Sequence, residues 1–332
     1  MSVQGVAPAQ GTKKLDLQKL LAPAVLVGLY AFFAIFGNNF FSSYTLKTIL
    51  ESAYYTGLMS FGITFVIITG GIDLSIGTNM MCSAIIGGVA FSMWGWPLWL
   101  ALCLVPLVGL AFGFINGILV AKAKLPPFIA TLGMMLVTQG FGSIVSRVQT
   151  QRYPTIGTAN EWFKTVFYRT GNFPTGALYL LAAFIIAAFV LNKTRFGRYV
   201  YAIGSNEEAT RLSGVRVDKY KTLAYMVCGL FAGIGGILYA ATYTTAIPGT
   251  GNGLETYAIA AVIIGGTSMA GGSGTMVGTL IGIFIMAVLK SGLASLGLQA
   301  HWQTFFTGVV VIGAVLMDNM RVRAAQKVKV ES

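Results

Sequence analysis

Few side chains in this sequence are equipped for chemistry, and they lie far apart in otherwise apolar surroundings. Asp73 sits in the stretch Gly70-Gly71-Ile72-Asp73-Leu74-Ser75-Ile76-Gly77, with Asn79 following and Asn116 further on. An ionisable group at membrane depth is a functional candidate by default. A capping duty at the helix start over Ser75–Thr78 explains Asp73 equally well. Glu255 opens an apolar run beside Tyr257, either as a helix-start charge or as a path-facing group. His301 is the only histidine and has no nucleophile or metal-ligating residue near it in sequence. The run Gly265-Gly266-Thr267-Ser268-Met269-Ala270-Gly271-Gly272-Ser273-Gly274-Thr275 has the glycines of a phosphate loop but lacks the lysine that follows them there. No catalytic residue, metal site or cofactor is therefore expected, and a membrane enzyme is disfavoured. A chain of embedded acids and histidines, as in proton-driven pumps, is also missing. What remains is non-covalent passage of a solute, with the energy for uphill movement supplied from elsewhere. A self-sufficient channel or carrier is the rival reading.

The elements that carry these residues are apolar helices. The 332 residues are 55% hydrophobic and 10% charged, with 42 glycines; a soluble domain carries about 25% charge. Ten runs are candidate spans: 20–37, 52–70, 75–93, 97–120, 127–146, 175–192, 222–244, 255–269, 275–293 and 302–318. Several fall short of the roughly 20 residues of a straight span, so breaks or re-entrant turns are expected near 70–77 and 265–275. The expectation is an all-α polytopic membrane protein with one transmembrane domain over 20–318, flanked by cytoplasmic segments 1–19 and 319–332. The first run has no small-residue cleavage signal and is taken as an uncleaved span. Gly229, Gly233 and Gly236, and Gly274, Gly278 and Gly282, have spacings that let helices approach closely. Cys82, Cys103 and Cys228 fall inside apolar runs and are expected as small buried hydrophobes.

Basic residues orient the array. With the N-terminus inside, 16 of the 22 lysines and arginines fall on the cytoplasmic side, and an even span count puts both termini there. The outer side receives Lys47, Arg147, Arg152, Lys164, Arg169 and, at a span end, Lys290. The outer loop 148–174 carries Trp162, Phe163, Phe167 and Tyr168, expected as an interfacial aromatic helix. Its basic residues are either interfacial anchors or a landing site for an acidic partner. The cytoplasmic loop 193–221 is the long charged segment. In it Ser205 and Glu208 have capping-box spacing, Asn206 lies between them, and Glu207 and Glu208 favour the positive end of a helix. Ala209 and Leu212 share a face, Arg211 lies between them, and Gly214 is placed to end the helix. So short a helix needs packing partners. It is expected to dock on a partner protein, the alternative being a helix on the membrane surface.

Four stretches in order, TGGIDLSIGT, LPPFIATLGM, AIGSNEEATRLSGV and GGTSMAGGSGTMVGTLIG, resemble the permease subunits of bacterial ABC importers for monosaccharides, the ribose/xylose/galactoside branch. The resemblance runs from about residue 50 to 318. It implies an inner-membrane subunit that pairs with a second permease subunit, identical or not. A cytoplasmic ATPase subunit would grip a coupling helix at 206–213, and a periplasmic binding protein would deliver the sugar. Candidates for lining the path are Asp73, Ser75, Asn79 and Asn116, with Phe61 and Phe65 for the apolar face of a sugar ring. Arg147, Arg152, Lys164 and Arg169 are the candidates for binding-protein docking. Cyclitols, the autoinducer-2 furanose and branched amino acids are the alternative solutes.

Overall fold

Apolar runs of 17–27 residues form helices because only a helix satisfies its own backbone in lipid. A computed structural model describes residues 17–330. The polar segment 1–16, with Lys13 and Lys14, lies outside the described residues, as do the side chains of Lys19, Arg321, Arg323, Lys327 and Lys329. Thirteen helices are found among the described residues. The first five are α1 (Leu17–Phe36), α2 (Ser43–Ile68), α3 (Ile76–Ser92), α4 (Leu98–Ala121) and α5 (Pro127–Val145). Short α6 (Trp162–Phe167) precedes α7 (Thr175–Lys193), then α8 (Arg195–Ser205) and α9 (Glu207–Leu212). The last four are α10 (Val217–Tyr243), α11 (Leu254–Ile264), α12 (Met276–Ser295) and α13 (Ala300–Val330). One ribbon of two strands, β1 (Gln151–Arg152) and β2 (Thr245–Ala246), pairs antiparallel with Gln151 opposite Ala246.

Each expected apolar run carries a helix. Six of the described helices are long and apolar enough to cross a membrane: α4, α5, α7, α10, α12 and the Ala300–Asp318 part of α13. The apolar part of α1 (Leu21–Phe36), α3 and α11 are shorter. α2 has 26 residues, but Lys47, Glu51 and several hydroxyls dilute its apolar character. This is the architecture of a polytopic membrane protein. α13 continues through Val330, so residues 319–330 are helical.

α2 forms the core. From Ala53 to Ile68 nearly every residue is buried, packed by α7, α10, α11 and α12. α10 lies between α2 and α4, and there the expected glycines work. Gly229 rests on the backbone of Gly109 and Gly113, and Gly233 on Pro106. Gly236 meets the Met80 carbonyl of α3, Gly278 the Gly265 carbonyl, and Gly282 the Ala261 carbonyl. Hydroxyls add cross-links: Thr64 and Thr279 are 3.0 Å apart between α2 and α12. On α13 the side chains of Phe305, Val309, Ile312 and Leu316 are exposed, as suits contact with lipid.

A methyl at Gly113 would meet the Tyr225 carbonyl and stand 3.0 Å from Gly229 Cα, whereas nothing lies within 4 Å of one at Gly133. Gly113→Ala should destabilise by about 1–3 kcal/mol through overpacking. Gly133→Ala should be neutral or stabilising by up to about 1 kcal/mol, from helix propensity. Melting temperatures of the two variants in one detergent check the opposite signs.

Candidate functional site

The segment between α7 and α10 is built from two helices, not one. Thr194 starts α8, its hydroxyl accepting from Gly197 N at 3.2 Å. Its strongly amphipathic sequence buries Val200 and Ile203. The expected capping box is corrected by the geometry. Ser205 is the last residue of α8, and Asn206 caps α9 by accepting from Ala209 N at 2.9 Å. Asn206 takes the extended conformation that a cap requires, which leaves Ser205 one residue too early. α9 covers Glu207–Leu212, shorter than the expected 206–213, and Gly214 follows it with φ of +82°.

Ion pairs fix α9 to the bundle. Glu207 pairs with Lys221 at 2.7 Å and with Arg211 at 3.1 Å. Asp218, in the first turn of α10, pairs with Lys124 at 2.7 Å and Arg211 at 3.3 Å. Burial pushes the Glu207 carboxyl up, but the Lys221 and Arg211 cations outweigh it and hold the carboxyl below its ordinary value. The other face of α9 is open: Glu208 and Ala209 are exposed, and Leu212 is 84% exposed.

Behind this segment three backbones meet without intervening side chains. Gly204 of α8 lies against the Ile68 carbonyl and the Gly272 amide, and Gly272 N donates to Ile68 O at 2.9 Å. Tyr201 Oη donates to Gly274 O at 2.7 Å. The ends of α2 and α8 and the loop 265–275 thus share one junction.

Asp73 is fully buried in the break between α2 and α3. Its Oδ1 accepts from Ser75 N at 2.9 Å, Ser75 Oγ at 2.6 Å and Asn116 Nδ2 at 3.3 Å. Cys228 Sγ donates to its Oδ2 across 3.6 Å. The bond to Ser75 N makes Asp73 a turn-former, while Ser75 holds the cap position of α3. Asn116 and Cys228 then bind that turn to α4 and α10. Asn79 donates to Gly109 O at 3.2 Å. Phe61 and Phe65 are also fully buried, facing Phe184 and Phe196 with centroids 5.9 and 5.7 Å away. Cys82 and Cys228 are buried as expected, but Cys103 is exposed on α4. Glu255 folds back to accept from Gly253 N at 2.9 Å and lies against Gly77.

In the loop before α7, α6 turns its aromatics inward as well as outward. Phe163 is buried and stacks on Tyr153 at 5.3 Å, while Trp162 stays exposed, so the helix is a lid on the bundle and not only an interfacial belt. Arg147, Arg152 and Arg169 are exposed. Arg147 and Val148 have φ of 53° and 59°, a costly conformation for a β-branched residue. Lys164 is half-buried, 4.6 Å from the Tyr168 ring centroid and bonded to Thr242 O at 3.4 Å. Burial and the nearby Arg169 charge lower its pKa.

One group escaped the sequence reading. A small pocket between α2, α11 and α12 is lined in part by Tyr55, Tyr257 and Lys290. The signal was a lysine five residues inside an apolar helix, with tyrosines at 239 and 243 one turn apart.

With this geometry in view, the comparisons are decisive. A family model described as branched-chain amino acid transport system / permease component matches residues 45–315. The chain belongs to this permease family. It is 39% identical over 329 residues to the ribose import permease protein RbsC of Escherichia coli K12, covering 97% of this chain and 100% of that one. The fructose import permease protein FrcC of Rhizobium meliloti is 36% identical, covering 89% of this chain and 83% of its own. The xylose transport system permease protein XylH of Escherichia coli K12 is 31% identical, with 93% of each chain covered. No solved structure matches. Permease components of this kind are transport components and not enzymes.

The two kinds of polar contact in this permease differ in weight. Lys124→Ala removes an exposed ion pair and should cost under about 1 kcal/mol. Asp73→Ala strands buried donors at about 1–3 kcal/mol each and should cost several times more. Because Glu207 is held below its unfolded pKa, its pairs contribute above that value and are lost as pH falls through the folded one. The melting temperatures of Glu207→Gln and the parent should therefore differ at neutral pH and converge below about pH 4.

Proposed function

We propose that this chain is the membrane permease subunit of an ATP-binding-cassette importer that brings a monosaccharide across the bacterial inner membrane. It pairs with a second permease subunit, receives sugar from a periplasmic binding protein and is driven by a separate cytoplasmic ATPase. The observation that carries this reading is the likeness, over nearly the whole chain, to import permeases named for ribose and fructose. The family description names amino acids, but the full-length relatives carry sugar names, and the sugar reading is preferred.

Ten spans are assigned: α1 to α5, α7 and α10 to α13. With the N-terminus inside, α8 and α9 face the cytoplasm and α6 the periplasm. Contacts between distant segments support this order. The pair Lys124–Asp218 needs the α4–α5 turn and the start of α10 on one side. The β1–β2 ribbon needs the ends of α5 and α10 on the other. Asp318 accepts from Met269 N at 3.0 Å, which sets the loop 265–275 and the middle of α13 on a common side. All three agree with an even number of crossings and both termini inside.

α9 is the coupling helix in this reading. Ser205, Asn206 and Gly214 shape its ends, Glu207 and Arg211 tie it down, and Glu208, Ala209 and Leu212 present the face for the ATPase. Arg147, Arg152, Lys164 and Arg169 are assigned to binding-protein docking, the three exposed arginines foremost. Asp73, Ser75, Asn79 and Asn116 are assigned to the path where α2 gives way to α3. Phe61 and Phe65 back that region from the core.

In liposomes holding permease, ATPase and binding protein, sugar-stimulated ATP hydrolysis should fall at least tenfold in Leu212→Asp or Glu208→Lys with membrane insertion intact. Unchanged stimulation in both removes α9 from the mechanism. Uptake by the purified chain alone, without ATP, would favour the carrier or channel reading. Charge reversal at Arg152 and Arg169 should weaken binding-protein affinity, more at low salt than at high salt; indifference to both changes ends the docking assignment.

A further inference from the structure

Between the β1–β2 ribbon and α11 the chain makes two consecutive tight turns inside the bundle. Ile247 O receives Thr250 N at 3.4 Å, and Gly251 O receives Leu254 N at 3.3 Å. Gly249, Gly251 and Gly253 have φ of +77°, +105° and +90°, a conformation that glycine adopts without strain. The depth of these turns is read along α3. Gln151 of the ribbon stands against Gly88, near the Ser92 end, whereas Gly251 stands against the Gly77 carbonyl and Thr78. Eleven residues of helix, about 16 Å, separate Gly88 from Gly77. α11 begins at this lower level and has 11 residues. It is about 16 Å long, half the roughly 30 Å of a hydrocarbon core. The rest of this crossing is therefore made by the non-helical segment 247–253.

That segment is not covered by the rest of the chain. Gly249, Thr250, Asn252 and Gly253 are exposed, and Ile247 is 46% exposed. Among the described residues, the backbone amides of Gly249 and Asn252 and the Asn252 side chain have no hydrogen-bond partner. Gln139 of α5 braces the loop, donating from Nε2 to Gly249 O at 2.6 Å. Glu255 braces its end by accepting from Gly253 N at 2.9 Å, and its other oxygen, buried against Gly77, has no partner. Non-helical backbone at membrane depth does not face lipid; it persists where protein covers it or where it lines a water-filled cavity. Asp73, Ser75, Asn79 and Asn116, at the nearby α2–α3 break, are fully enclosed. At that level the loop, and not the break, is open.

We propose that the loop 247–253 is one wall of the solute path, with Asn252 and Thr250 as its contacts to a neutral monosaccharide. This rests on the importer reading above and places solute contact on the open loop beside the enclosed break. The Asn252 side chain donates to and accepts from sugar hydroxyls. The Thr250 hydroxyl, which already donates to Ile247 O at 2.7 Å, accepts. The free amides of Gly249 and Asn252 donate. All these groups are uncharged, as is Gln139, so the wall suits a solute whose polarity lies in hydroxyl groups. A zwitterionic amino acid finds no exposed counter-charge on it, because Glu255 is turned away against Gly77.

The test uses the whole importer, in nanodiscs for labelling and in liposomes for uptake, with D-ribose as probe. In a Cys103→Ser background, Asn252→Cys should react with a charged, membrane-impermeant methanethiosulfonate. D-ribose, supplied with binding protein and ATP, should slow that reaction at least fivefold. Ile312→Cys in the same background, on the exposed face of α13, should stay unreactive. Asn252→Leu should raise the uptake KM at least tenfold, Asn252→Gln should recover most of the loss, and both melting temperatures should stay near that of the parent. An unreactive Asn252→Cys in a folded complex that hydrolyses ATP overturns the proposal, because the loop is then sealed by lipid or by the second permease subunit. So does a labelling rate that D-ribose leaves unchanged, or an uptake KM within twofold of the parent in Asn252→Leu. Uptake of neither D-ribose nor D-fructose by the parent with ATP breaks the monosaccharide reading itself, a result separate from the reactivity of Asn252→Cys, which reports whether the loop faces water.

Discussion

In lipid a helix cannot be interrupted unless protein satisfies the freed backbone groups, and this chain interrupts its helices in its most buried region. Between α2 and α3, Gly71 N returns to Val66 O, Ser75 N binds Asp73, and the Ile72 carbonyl accepts from Tyr225 Oη at 3.0 Å. In the loop after α11, Ser268 N reaches Ser273 O and Met269 N is received by Asp318. Two of the few acids in the chain are thus placed where broken backbone needs an acceptor. Asp73 carries more, because Asn116 and Cys228 make its turn a tie between α4 and α10.

The two interruptions are also joined to each other. Gly272 donates to Ile68, and Gly204 fits against both. Backbone packed on backbone has no rotamer to absorb a shift, since dense interiors transmit strain. The end of α8 is in direct backbone contact with the end of α2 and with the loop that leads into α12. α9, held by Glu207 and Asp218 yet open along Leu212, lies at the outer end of that train. Lys290 and its tyrosines lie toward the far end of α2 and α12, so one pair of helices connects the two regions.

Periodicity and turn chemistry showed where each helix lies, because apolar runs and glycine breaks are local signals. The charges of 193–221 marked the segment that faces outward from the bundle. Local signals misjudged the cap of α9 by one residue, since Ser205 and Asn206 are both competent and only the packing of α8 decides which one ends a helix. They also treated Phe163 as interfacial, because sequence spacing cannot tell lipid from the Tyr153 ring. Lys290 was visible as a charge in an apolar run but was placed at a span end, where a cation is ordinary.

By itself the sequence determined the class of protein, the positions of its apolar helices and the lack of any catalytic set, since hydropathy, residue type and short-range spacing are properties of the chain alone. Only the tertiary structure decided that Asp73 joins three segments, that backbone from three distant stretches shares one junction, and that four tyrosines from α2, α10 and α11 gather near one lysine. Those relations span 43 to 235 residues of chain, and no local pattern encodes which helix faces will meet.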